Sequence, residues 1–454
     1  MSREMKDSGI GGIGQIPENW EICPMKTYFS FGKGLSITKS DLTDNGVSVL
    51  SYGQIHSRNN PKVSTPNFLL KKLPMEKAQK QSLTSVGDFI FADTSEDRNG
   101  CGNCNYIDKD GIYAGYHTII ARVNNYPHTK YFGYLFMTDA WRFQIRRELT
   151  EVKLYSVSQK VLKRANIVIP PEAERISIVH FLDRKCTAID NAIEKTKKSI
   201  VKLEEYKKAV ITKAVTKGVD PNAKMKDVHF LWLTAIPENW GIYKLNHILD
   251  YNHPYPLGDG DHGSIKADSY VSSGIPFIRV QNLGYTEPIN IENVVYITEA
   301  QNQKIQNSTL APNDILFAKT GATIGKTAIM PQTISRANTT SHIGKITVDT
   351  RYYVPKYIFY ALSSEIGNHQ LWSIANKKAT RPEVGLDEVK YIKLCIPLSV
   401  TEQKQIADFL DEKLNQINNA ISNHANLIRK LEEYKKSLIY YAVTGKIDCR
   451  GEEL

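Results

Sequence analysis

Two short clusters in this 454-residue sequence carry residue types that could do chemistry. The first is GATIGKT at Gly321 to Thr327, which looks like a phosphate-cradling loop, where backbone N–H groups and a lysine would hold a triphosphate. That motif needs one more residue between its first glycine and GKT, and Thr320 stands where the glycine should be. A glycine-permitted turn between two strands is the better reading, either as a plain hairpin or with Lys319 and Lys326 placed to meet phosphates. The second cluster is Cys101-Gly-Asn-Cys104, a single CxxC with no second pair at zinc spacing; His117 is the nearest downstream histidine and Cys186 falls in a predicted helix. Structural zinc takes four ligands, so this reads as a polar surface loop. No HExxH, GxSxG, paired-carboxylate metal motif, Asn-Pro-Pro-aromatic signature or GxGxxG after a strand is present, so the residues supply no catalytic constellation.

Composition narrows the classes further. With 41% hydrophobic and 23% charged residues the chain is ordinary globular protein, expected to form two to four domains. Lys plus Arg (58) exceed Asp plus Glu (48), a net charge of +10 that suits a polyanionic partner without proving one. No apolar segment follows Met1 and no run approaches the length of a membrane span, so neither secretion nor membrane insertion is expected. Six irregularly spaced cysteines read as reduced thiols of a cytoplasmic protein.

The elements that must position these residues come as a repeat. MKDSGIGGIGQIPENW (Met5 to Trp20) returns as MKDVHFLWLTAIPENW (Met225 to Trp240) with 8 of 16 identities, and LEEYKKAVITKAVTKGVD (Leu203 to Asp220) returns as LEEYKKSLIYYAVTGKID (Leu431 to Asp448) with 11 of 18. GDFIFA at Gly87 matches NDILFA at Asn313, and KYFGYLF at Lys130 matches KYIFYAL at Lys356. So long a unit is a duplicated domain pair and not a solenoid. The first 220 residues hold 33 basic and 24 acidic side chains and the remainder 25 and 24, so the charge divides as +9 and +1. The first copy is expected to supply more of any salt dependence.

Each copy begins with short β-rich runs separated by Asn, Gly, Asp and Ser, such as VSVLSY at Val47 and IPFIRV at Ile275, and one helix each is predicted at Tyr131 to Leu149 and Tyr357 to Trp372. A Pro-marked start then opens a long helical segment. Leu182, Ile189, Thr196, Leu203 and Val210 lie seven apart, interleaved by Cys186, Ile193, Ile200, Lys207 and Ala214. The second copy repeats the pattern with Leu410, Ile417, His424, Leu431 and Leu438, interleaved by Leu414, Ile421, Ile428, Lys435 and Ala442. Sustained over four heptads, this spacing is a coiled-coil seam. The expected fold is mixed α/β (α+β): globular domains over 1–165 and 221–393, separated by an antiparallel two-helix coiled coil from 166–220 and 394–454, with a pseudo-two-fold internal repeat. Thr196 and His424 occupy equivalent seam positions, either fixing the register or simply tolerated there.

On these pieces the chain resembles the DNA-specificity (S) subunits of type I restriction-modification enzymes. The resemblance covers essentially all 454 residues and rests on the two-copy plan, MKD followed by IPENW, GIPFIRVQNL (Gly274 to Leu283), NDILFAKTGATIGKTAIM (Asn313 to Met330), EQKQIADFLD (Glu402 to Asp411) and LEEYKK with AVTKG or AVTGK. It implies that each globular domain is a target-recognition domain reading half of a bipartite site in double-stranded DNA. It implies too that the helices dock two modification (methyltransferase) subunits, with restriction (translocase/endonuclease) subunits in the larger complex. Methyl transfer and cleavage then lie in partner chains, as do S-adenosylmethionine, Mg and ATP, and this chain binds no cofactor and is not an enzyme. DTSEDRNGCGNCNYI (Asp93 to Ile107) in the first copy departs from KTGATIGKTAIM in the second, as an asymmetric target requires.

Arg and Lys suit guanine edges and phosphates, Asn and Gln suit adenine, and readers belong on loops. The candidates are Arg58, Asn59, Arg98, Asn103, Tyr116, His117, Arg142 and Arg146 in the first domain. In the second they are His262, Lys266, Arg279, Gln281, Lys319, Lys326, Arg336, Asn338, Lys377, Lys378 and Arg381. The aromatic rows from Tyr131 and Tyr357 sit at helical spacing and read as core. Two rival readings stay open: a nucleotide-binding enzyme built on GATIGKT, and a structural coiled-coil adaptor.

Overall fold

The computed structural model describes residues 3–124, 127–149, 154–375 and 382–451. The repeated MKD and IPENW motifs form a hairpin in each copy, Met5–Asp7 against Gln15–Pro17 and Met225–Phe230 against Leu233–Pro237. The tryptophan that ends each motif is buried, and its indole N–H donates to a glutamate in the first turn of a long helix: Trp20 to Glu174 (3.1 Å) and Trp240 to Glu402 (2.8 Å).

Each globular domain is built on a four-stranded antiparallel sheet. In the first domain the order is Cys104–Tyr106, Phe89–Ala92, Thr118–Val123, Phe29–Lys33; in the second, reversed along the sheet, it is Leu257–Asp259, Ile343–Ile346, Ile315–Ala318, Thr327–Ile329. FIFA and ILFA have no polar alternation because both of their faces are covered, and all eight residues are buried. A smaller sheet lies beside each. Val47–Leu50 pairs in parallel with Ile112–Ala114 in the first domain, and Ile275–Ile278 with Asn338–Thr339 in the second.

The single helix predicted in each domain is two. Lys130–Met137 stops at Thr138, whose hydroxyl accepts from Trp141 N (3.2 Å) to cap Asp139–Arg147. Ser364 does the same from Gly367 N (3.3 Å) between Pro355–Ser363 and Glu365–Ala375. The capping residue, extended in backbone, turns the chain so that both short helices lie on the sheet. Phe136 and Trp141, on either side of the first break, pack with tilted rings 4.3 Å apart between centroids in the aromatic core.

The long helices are Glu172–Lys217 and Val400–Val443, and the chain divides into two compact units that cut through both of them. Unit 1 holds residues 1–196 and 426–454, and unit 2 holds 197–425. Each unit therefore contains one globular domain, the start of the helix that follows it and the end of the other copy's helix. In unit 1, Leu182, Ile189 and Ile193 share a core with Leu438, Ile439 and Ala442, and Ile428 and Leu431 pack on it half-exposed. In unit 2, Leu410, Leu414 and Ile417 share a core with Ile211, Ala214 and Val215, flanked by Leu203 and Ile421. In both units a helix start meets a helix end, so the pairing is antiparallel, and the two units repeat it. The domains join these cores through matching tyrosines, Tyr131 donating to Val443 O (2.8 Å) and Tyr357 to Val215 O (3.4 Å).

The polar seam residues behave unequally. His424 reaches Ser199 across the helix pair (3.2 Å), whereas Thr196 donates to Ala192 O of its own helix (2.8 Å) and makes no such link. Lys435 pairs with Asp190 across the helices (2.6 Å), while its repeat counterpart Lys207 is buried and paired with Glu287 of the second domain.

Candidate nucleic-acid interface

Several of the candidate readers lie at the ends of the central strands. In the first domain, Phe89–Ala92 and Thr118–Val123 are followed and preceded by the loops that carry Arg98, Asn103, Tyr116 and His117, while Arg142 and Arg146 sit on the helix Asp139–Arg147. Asp97 accepts from Gly100 N (2.6 Å) and fixes the turn Arg98–Gly100. That turn meets the helix Asp139–Arg147: Arg98 donates to Arg146 O (3.2 Å), and Arg146 donates to Asn99 O (2.6 Å) and pairs with Asp139 (3.0 Å). Arg98, Asn103, Arg142 and Arg146 are thus brought together. Tyr116 and His117 join Tyr52 in an edge-to-face aromatic group with centroids 5.4 to 5.6 Å apart. Arg58 and Asn59 lie exposed just after the short helix Tyr52–Ile55.

In the second domain the loop bearing His262 and Lys266 is clipped by Asp261, whose carboxylate accepts from Gly263 N (3.0 Å), Ser264 N (3.1 Å) and Ile265 N (3.1 Å). Burial disfavours ionisation of Asp261, but a hydrogen bond from the Ser264 hydroxyl together with these backbone ones outweighs it and holds the carboxyl below its ordinary range. His262 and Lys266 are exposed. Arg279 and Gln281 line one shallow depression, with Arg279 donating to Asn293 O (3.1 Å). Arg336 is exposed but held by both oxygens of Glu299 (3.2 and 2.6 Å). Lys377, Lys378 and Arg381 lie outside the described residues.

Four candidates are buried, against the expectation of surface donors. Asn338 is fully buried; its amide donates to Asn302 and Ile305 O and accepts from Ser308, so it staples the core and has no group left for a base. Lys319 is 4% exposed and paired with Asp259. Asn103 (8% exposed) donates to His56 Nδ1 at 3.0 Å, and Arg142 (5% exposed) donates from Nε to Phe136 O at 2.8 Å. An unpaired buried charge is costly, which is why Lys319 keeps a carboxylate beside it.

GATIGKT is a hairpin. Gly321 and Gly325 take left-handed backbone angles (φ 62° and 96°) that glycine alone adopts freely, and Thr327–Ile329 returns antiparallel to Ile315–Ala318. A nucleotide loop needs a helix at that point, so the enzyme reading falls. Half-buried Lys326 remains on this turn. Cys101 and Cys104 are buried, burial pushes the Cys104 thiol up to about 12, and no metal-binding group of His, Cys, Asp or Glu occurs among the described residues. CxxC is interior packing and not the expected surface loop.

One feature escaped the sequence. Thr94 Oγ1 lies 3.4 Å from His117 Nδ1, and Thr320 Oγ1 lies 3.1 Å from His342 Nδ1, the same pair at the same strand end in both domains. Aligning GYHTII with TSHIGKI would have exposed His342, but that stretch shares too few identities to catch the eye.

Among the described residues no helix is long and apolar enough to cross a membrane. The chain is 26% identical over 298 residues to the type I restriction enzyme MjaVIII specificity subunit of Methanocaldococcus jannaschii (65% of each chain). It is 24% identical over 299 residues to the EcoBI specificity subunit of Escherichia coli, covering 63% of this chain and 61% of that one. These alignments span just under two thirds of the length of the curated relatives. A chain solved in work on complex assembly and conformational transition of the type I R-M system shares the fold, with a TM-score of 0.69 at 14% identity, covering 95% of this chain and 99% of that one. The type I restriction modification DNA specificity domain matches residues 17–205 and again 237–427, one match for each copy of the repeat, and the chain belongs to that family.

Proposed function

We propose that this chain is the sequence-selecting subunit of a type I restriction-modification complex, each globular domain reading one half of an asymmetric bipartite site in double-stranded DNA. One observation carries the reading: two domains share a sheet, a helix pair and a Thr–His pair, yet their strand-end loops present different side chains, DTSEDRNG in one and KTGATIGK in the other. A common frame with divergent loops suits two different half-sites, since identical domains would read a palindrome. Exposed Arg58, Asn59, Arg98 and His117 in the first domain, and exposed His262, Lys266 and Gln281 with half-buried Lys326 in the second, are the readers and phosphate contacts. Repeated faces of the helix pair, including exposed Tyr206 and Tyr434, dock two modification subunits, and restriction subunits join that assembly. Methyl transfer and cleavage belong to those partners, which hold S-adenosylmethionine, Mg and ATP, and the complex works in the cytoplasm.

Exchanging residues 21–165 for those of another family member, in a host that also expresses the partners, should change one half of the methylated motif seen by methylome sequencing. A change in both halves would refute the one-domain, one-half-site assignment.

A further inference from the structure

Unit 1 contains a cleft of about 1200 Å³ walled by the turn Arg98–Gly100, the helix Asp139–Arg147 and the end of the second long helix at Lys436 and Tyr440. Three buried polar atoms without a hydrogen-bond partner belong to residues lining it: Arg142 Nη2, Arg146 Nε and Asn103 Oδ1. Buried polar groups are ordinarily satisfied, and leaving a guanidinium nitrogen unpaired is costly. Lys62 lines the same cleft with a left-handed backbone (φ 65°), a conformation a lysine rarely adopts. Strain and unsatisfied donors in one concavity mark a place kept for a ligand.

The charges facing Lys62 come from every wall. Arg142, Cys104 and Asp139 belong to the globular domain and Lys436 to the long helix. Of the acids, Asp139 is engaged by Arg146 and Asp97 by Gly100 N, leaving Glu96 at the rim. Burial, with Arg142 adding to it, lowers Lys62 to about 8. The repeat supplies an internal contrast. In the corresponding cleft of unit 2, Asn368 stands at the position of Arg142 and Trp372 at that of Arg146.

We propose that the unit 1 cleft binds a small phosphate ester of nucleotide size, its oxyanion held by Arg142 and Lys62 and its hydroxyl or N–H donated to Asn103. Arg142 and Asn103 are less than a tenth exposed, out of reach of a DNA backbone passing over the surface, while half-buried Lys62 would meet a small anion that enters the cleft. The cleft, at about 1200 Å³, has room for a ligand of nucleotide size.

The probe is adenosine monophosphate, titrated calorimetrically into the full chain at pH 8.5, with sodium chloride of equal ionic strength as reference. Binding beyond the chloride effect is expected, with proton uptake revealed by comparing two buffers, because the anion restores the proton to Lys62. Lys62→Asn tolerates the left-handed backbone and should weaken binding about tenfold or more and abolish the proton uptake. Arg142→Met should weaken it similarly, and Lys326→Ala should leave it unchanged. No binding above chloride by the wild-type chain overturns the proposal. So does unchanged binding in a folded Lys62→Asn protein, and so does loss of duplex-DNA affinity in Lys62→Asn without any effect of adenosine monophosphate, which would assign the cleft to the DNA surface.

Discussion

At the scale of single residues, buried charge explains where the seam pattern departs from apolar spacing. Lys207 stands at a seam position because Glu287 meets it there. Burial opposes ionisation of Glu287, yet the Lys207 hydrogen bond and charge, with the N–H groups of Thr286 and Tyr285, set it at about 2. The carboxyl is thus depressed from 4.5, so its contribution to stability is complete above pH 4.5 and is lost as pH falls toward 2. Urea midpoints followed from pH 7 to pH 2.5 should fall less steeply in Glu287→Gln than in the wild type. At pH 7 that variant should cost about 1–2 kcal/mol, less than a fully buried pair because Glu287 is partly screened by water. Trp240→Phe removes the N–H that Glu402 accepts, and should cost about 1–3 kcal/mol in the same measurement. A loss below a few tenths would show that the IPENW tryptophan is kept for its ring alone.

At the scale of elements, the seam is graded. Leu182 and Leu410, at the helix starts, are fully buried in cores shared with the globular domains, while Ile200 and Ile428, farther along the helices, are half-buried. Truncation to alanine should therefore cost about 3–5 kcal/mol at Leu182 or Leu410 and roughly half that at Ile200 or Ile428. Chemical denaturation of the four variants checks the gradient, and equal losses would contradict it. The capped breaks at Thr138 and Ser364 belong to this scale too. The signal was present as Thr-Asp and Ser-Glu at each break, but a continuous 3.6-residue apolar pattern on both sides overrode it in the sequence reading.

At the scale of the whole molecule, each domain is completed by the other copy's helix. Leu438, Ile439, Ala442 and Val443 seal the core of unit 1, and their repeat counterparts Val210, Ile211, Ala214 and Val215 do so in unit 2. Residues 1–220 alone lack the first set but carry the second. That fragment should form a homodimer in which each chain's helix end seals the other chain's domain, with light scattering after size exclusion reporting twice the fragment mass. A stable monomer would mean that the first copy closes its own core.

The sequence by itself determined the repeat, the family, the helix pair and its antiparallel sense, because periodicity and duplication are properties of order along the chain. It also favoured the turn over the nucleotide loop at GATIGKT, because a missing residue spoils the loop wherever it sits. Only the tertiary structure decided which donors are free. Asn103, Asn338 and Lys319 have the same side-chain chemistry as exposed readers, and what buries them is the approach of segments tens of residues away: His56, Asn302 and Asp259. Burial is set by those distant neighbours, and no local spacing records them.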